Sequence, residues 1–109
     1  MDFKAGASRG QDLLRVALLD NAVGVVDGDW AALNGFHPAS VEIFGPSTGA
    51  IVQLWASNSP KTPTHNGVQV RGDFSTDIIV RIDVPLVWMR AKVIQAGSFP
   101  VSVYFFGAR

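Results

Sequence analysis

The C-terminal third of this chain is written in period two. Between Asp77 and Val84, Ile78, Val80, Ile82 and Val84 share one parity, and Arg81 and Asp83 take the other. Successive side chains of a β-strand point to opposite faces, so this alternation predicts a strand with one apolar face. Leu86 to Gln95 repeats the pattern, with Val87, Met89, Ala91 and Val93 set against Trp88, Arg90 and Lys92. Phe99 to Gly107 predicts a third strand that stops two residues from the last residue, which ties that end of the chain into a sheet. No catalytic motif stands elsewhere, so function has to be argued from an all-β body and its surfaces.

Upstream, the strands are shorter and the punctuation denser. Leu13 to Leu19 suits either a strand, with Leu14, Val16 and Leu18 on one face, or a short helix. Asn21 and the Gly-rich stretch after it favour the strand. Asp27-Gly28-Asp29 and Asn34-Gly35 read as turns around a short strand, Trp30 to Leu33. Ala39 to Phe44 reads as a strand, Gly45 to Gly49 as a hairpin loop, and Ala50 to Ala56 as the returning strand. A polar loop from Ser57 to Asn66 carries Pro60 and Pro63. Val68 to Arg71 is then a short strand and Gly72 to Thr76 a turn. The sum is about eight short strands at roughly 8–12-residue spacing, the pattern of an antiparallel β-sandwich or jelly roll. Residues 1–11 are polar and Gly/Ser-containing and predict a flexible N-terminal arm; residues 12–109 predict a single β-sandwich domain.

Composition narrows the function classes. A chain of 109 residues is one domain of ordinary size. Its 17% charged residues fall below the usual value of about 25%, which suggests a surface partly covered by a partner. Nine basic and nine acidic residues cancel, so no long-range field draws nucleic acid. Without cysteine there is neither a disulfide nor a thiolate zinc site. The first residues lack the apolar core of a signal peptide. The apolar stretch Leu13 to Val26 contains Arg15 and Asp20 and is too short to span a bilayer. The expectation is a protein made and folded in a cytosol, mature as written, with no membrane and no direct nucleic-acid partner.

The chemically capable residues have plainer readings. His37 and His65 sit in separate loops without metal-ligand spacing, and surface histidines account for them better. No GxSxG elbow presents a serine. The Asp27/Asp29 and Asp73/Asp77 pairs have the oxygen ligands for Ca²⁺, but aspartate beside glycine is also ordinary turn chemistry. The segment GPSTGA lacks the lysine and following helix of a phosphate-binding loop. These readings predict no enzymatic activity, no cofactor and no metal.

Aromatic residues carry the surface argument. Alternation in the last strand sets Val101, Val103 and Phe105 on one face and Tyr104 with Phe106 on the other. A sandwich strand needs only one buried face. The second apolar face must meet the arm, a second subunit or a ligand. Tyr104, Phe106 and Trp88 are therefore interface candidates, joined by Phe3, Lys4 and Arg9 of the arm. The tryptophans and phenylalanines could instead line a sugar-binding platform.

Five short segments occur in order: Leu18 to Asp20, Asn34-Gly35-Phe36, Gln53 to Asn58, Trp88 to Val93, and the terminal run Val101 to Phe105. Together they resemble the small β-sandwich virion structural proteins of tailed bacteriophages, of the capsid cement (decoration) type, over roughly residues 13–109. The resemblance implies a non-enzymatic protein that binds and stabilises the shell of the major capsid protein. It implies self-association as a symmetric homo-oligomer, a trimer among its forms, and a place on the capsid surface of the virion after synthesis in the host cytoplasm. The alternative is a receptor- or carbohydrate-binding sandwich module of a tail fibre or head fibre.

Overall fold

The alternating segments form two antiparallel sheets with their apolar parities turned toward each other. The computed structural model describes residues 12–108. The arm expected over residues 1–11, with Phe3, Lys4 and Arg9, lies outside the described residues. The strands are β1 (Leu13–Ala22), β2 (Val26–Asp27), β3 (Ala31–Ala32), β4 (Ala39–Phe44), β5 (Ile51–Ser57), β6 (Val68–Phe74), β7 (Ile78–Ile82), β8 (Trp88–Gln95) and β9 (Val101–Ala108). Sheet one runs β1-β9-β4-β7. Sheet two runs β2-β8-β5-β6, with β3 also paired to β8. The β-sandwich expected from strand spacing is the observed architecture.

Inner-facing residues make one core. Val41 and Ile43 of β4, Val80 and Ile82 of β7, and Val101, Val103 and Phe105 of β9 come from sheet one. Val52 and Leu54 of β5 and Met89, Ala91 and Val93 of β8 come from sheet two. Strand β1 departs from strict alternation. A register shift between Ala17 and Leu19 turns both Leu18 and Leu19 inward, so the strand contributes two consecutive leucines to the core.

Three local expectations are corrected. Gly45 to Gly49 is no hairpin: β4 and β5 belong to different sheets, and the segment crosses between them through a single 3₁₀ turn, Pro46–Thr48. Asp27-Gly28-Asp29 is no turn. Val26 and Asp27 pair with β8 as strand β2, one more than the expected eight, and Gly28 N–H continues the pairing by donating to Ala91 O at 2.8 Å. A Cβ on Gly28 would meet that oxygen at 2.8 Å and Leu18 O at 3.0 Å, so the glycine serves close backbone approach. Gly72 to Thr76 is also not all turn. Strand β6 runs on to Phe74 through an irregular register and a left-handed Arg71 at φ 64°. Strand ends differ too: β8 begins at Trp88, and β9 at Val101 directly after Pro100, which has no N–H to give to a ladder.

Edge chemistry closes one side of the sandwich. Arg71 of β6 donates from Nη2 to Arg81 O of β7 at 3.0 Å and approaches Asp83 at 3.9 Å. Two sheet edges are thereby stitched together by one side chain. Among the described residues no helix is long and apolar enough to cross a membrane.

Candidate functional site

Two outward faces remain once the core is subtracted, and they differ in kind. The outer face of sheet one is ordered in levels by the strand registers. Arg15, Phe106, Ser40 and Arg81 lie across one level; Ala17, Tyr104, Glu42 and Ile79 lie across the next. Ser102 and Phe44 follow at a third level, flanked by Asp20 on β1 and by Asp77 just before β7. Phe44 is 58% exposed, Ile79 69%, Tyr104 39% and Phe106 38%. Large apolar groups thus stay in contact with water on all three levels. Arg15, Ala17, Tyr104 and Phe106 border a shallow depression of about 450 Å³ between β1 and β9. The Arg15 guanidinium lies 5.3 Å from the Phe106 ring centre, and the Tyr104 hydroxyl donates to Asp20 Oδ1 at 3.1 Å.

The structure therefore places Tyr104 and Phe106 side by side on this face, with Phe105 between them in sequence but turned into the core. Trp88 is not with them. It belongs to the outer face of sheet two, where it is half-buried and donates from Nε1 to Ser59 O at 2.9 Å. Phe44 and Ile79 complete the patch, and the candidate list from the sequence lacks both. Their alternating parity in β4 and β7 is a usable signal, but nothing local tells that β4 lies beside β9 and β7 beyond β4.

Sheet two's outer face carries the tryptophans, and the chain uses them itself. Arg90 stacks over Trp30 at 4.7 Å and Lys92 over Trp55 at 4.9 Å. A Cβ on Gly67 would lie 2.9 Å from the Trp30 ring, so backbone covers part of that indole as well. Trp55 Nε1 donates to Gln53 Oε1 at 3.0 Å, and Gln53 and Gln69 both donate to Asp73 Oδ1. Arg90 donates to Asn66 Oδ1 at 2.9 Å, while its buried Nε has no hydrogen-bond partner. Sugar-binding platforms need free aromatic faces, and here two of the three indoles have a cation laid over the ring.

The remaining polar candidates fix loops. His37 Nε2 donates to Asp83 O at 2.8 Å, and His65 Nδ1 accepts from Gly67 N–H at 2.9 Å. The two histidines are thus engaged with different segments. Among the described residues no group of three or more His, Asp or Glu is placed to hold a metal ion. Asp77 accepts from Gly45 N–H at 3.0 Å and Ser47 N–H at 3.2 Å, and these bonds hold its carboxyl below the ordinary aspartate range. Two amide side chains, Gln53 and then Gln69, do the same for Asp73.

A pH dependence follows from Asp77. A carboxyl depressed in the folded state contributes stability above its unfolded pKa, and loses it as pH falls through the folded pKa. The wild-type unfolding midpoint should exceed that of Asp77→Asn at neutral pH, and the gap should begin to close only below about pH 4 and narrow further as pH falls through the depressed folded pKa. Urea melts at several pH values check this. Parallel curves down to pH 3 would show that the ionised carboxylate adds nothing.

No family model matches the chain, and no curated protein matches it. Among solved structures it is similar to the crystal structure of the SPBc2 prophage-derived protein YomS. That match has a TM-score of 0.67 at 17% identity, over 91% of this chain and 95% of that one. At that identity the likeness is one of fold.

Proposed function

We propose that this chain is a non-enzymatic virion structural protein of a tailed bacteriophage, of the capsid cement type, which binds and stabilises the shell formed by the major capsid protein. The observation that carries the reading is the outer face of sheet one. Phe44, Ile79, Tyr104 and Phe106 all stay exposed on this one face, grouped around Glu42, an apolar concentration of the kind that marks a protein–protein contact. The shared fold with a prophage-derived protein supports the phage setting. The low charged fraction of 17% supports a body that spends its working life partly covered.

The receptor- or carbohydrate-binding reading has less support. Its best platform is the sheet-two face, whose Trp30 and Trp55 rings already carry Arg90 and Lys92. Co-sedimentation with empty heads separates the two. The purified protein should saturate undecorated shells of the phage that encodes it, and should raise the temperature at which those shells open. Absence from the shell pellet, together with glycan-array binding, would transfer the role to the fibre-module reading.

A further inference from the structure

The sheet-one face is more than apolar, because its charges are sorted by level. Arg15 and Arg81 stand at its two edges on the Phe106 level. Asp20 and Asp77 stand at the same two edges on the Phe44 level, two steps along the strands. The level between them holds Tyr104, Ile79 and Glu42. The β1 edge therefore reads basic to acidic along the strand, whereas on the β7 edge Asp83 stands one level beyond Arg81 and pairs with it at 3.2 Å, which balances that charge within the copy.

We infer that the occupant of this face is a second copy of the same chain, turned end for end about a two-fold axis that lies along the Tyr104 level at right angles to the strands. This rests on reading the sheet-one face as the protein-binding face. Such an axis keeps β1 over β1 and β7 over β7 while reversing strand direction. It sets Arg15 of one copy against Asp20 of the other, a pairing that occurs twice, while Arg81, held by its own Asp83, adds little against Asp77. Phe106 of one copy then meets the Phe44 level of its mate, and Tyr104 and Ile79 lie near their own mates. The other simple face-to-face choice, an axis parallel to the strands, sets β1 over β7, loses the Arg15–Asp20 pairs and opposes Asp20 to Asp77, carboxylate to carboxylate. Charge sorting selects the first.

Extent and charge also set the strength. Four strands about 4.8 Å apart and three to four levels about 6.8 Å apart give a face of roughly 400–500 Å² on each copy, near the lower bound for a specific pair. Glu42, on the axis level, meets its own mate and opposes association. The pairing is accordingly weak, with a Kd on the order of 10 μM. Concentrations inside an assembling particle, or on a shell that presents neighbouring sites, suffice to populate it.

Sedimentation velocity on the full chain up to about 300 μM tests this, with the thermal midpoint of every variant measured as a control for folding. The wild type should form dimers and nothing larger. Arg15→Asp should raise Kd at least about tenfold, and the swap Arg15→Asp with Asp20→Arg should bring it back to within about threefold. Glu42→Gln should tighten the dimer severalfold. A monomer at the highest concentration, a trimer, or tightening by Arg15→Asp would overturn the arrangement. The same samples are tested for shell co-sedimentation. Shell binding by a strict monomer would remove the dimer and leave the cement role. Dimers that ignore shells would do the reverse.

Discussion

Phe105→Ala should lower the unfolding midpoint sharply, while Phe106→Ala, one residue away, should leave it nearly unchanged. Phe105 is 1% exposed, and its strand partners on either side are Val16 and Val41. Its ring also rests against Gly107, where a Cβ would come within 3.0 Å of it. Emptying that site removes apolar contact and leaves a cavity that a two-sheet core cannot close without moving both sheets. The cost is about 3–5 kcal/mol, a large share of the roughly 5–15 kcal/mol that stabilises a domain of this size. At about 4–8 °C per kcal/mol the loss corresponds to roughly 12–40 °C in Tm. Phe106 is 38% exposed and covered on one side by Arg15, so its truncation costs little in folding. Its loss should appear instead in association, where removal of an aromatic anchor costs about 2 kcal/mol or more. Chemical unfolding and sedimentation on both variants decide the matter. Equal destabilisation with unchanged association would mean that the Phe106 side of the strand serves the subunit's own fold.

The second large effect is expected at a glycine. Gly45 sits at φ 117° where the chain leaves β4 for the other sheet, and a Cβ there would lie 2.5 Å from Pro100 O and 3.1 Å from Val101 Cα. Both obstacles are backbone and cannot swing aside. Gly45 N–H also donates to Asp77, so a displaced Gly45 loosens the entry to β7. Gly45→Ala should cost at least about 3 kcal/mol, combining an unfavourable φ with a clash that the sheets must absorb. Gly24 provides the control. It has φ 82° and nothing within 4 Å of the Cβ position, so Gly24→Ala should cost only about 1–2 kcal/mol, the conformational part alone. Urea denaturation of the two variants isolates the steric part as their difference. Equal losses would show that the crossing yields at Pro100, and that strain in φ is the whole effect.

The candidate face shows how far local pattern reaches. Tyr104 and Phe106 are identifiable from alternation alone, because both sides of their strand are apolar. Trp88 has the same kind of signal and lands on the opposite surface of the molecule. The difference is a sheet assignment: β7, β8 and β9 follow one another in the chain but alternate between the sheets, and only β5 and β6 are both consecutive and paired. Phe44 and Ile79 join the patch for the same reason, since β4 and β7 reach β9 by pairing across more than twenty residues of chain.

Side-chain parity is a property of the extended backbone itself, so it is written locally. Residues two apart share a face whatever the strand's neighbours are. That is why the inner faces of β4, β5, β7, β8 and β9, and the sandwich class they imply, can be read directly from the order of residues. Strand partnership is different. It depends on hydrogen bonds between distant segments and on how two apolar faces close over one another, and no short window contains either. Folding thus decided that Gly45 to Gly49 crosses between sheets instead of turning back, and that Gly28 lies along β8. It also laid Arg90 and Lys92 over Trp30 and Trp55 on one outer face, and left Phe44, Ile79, Tyr104 and Phe106 in contact with water on the other.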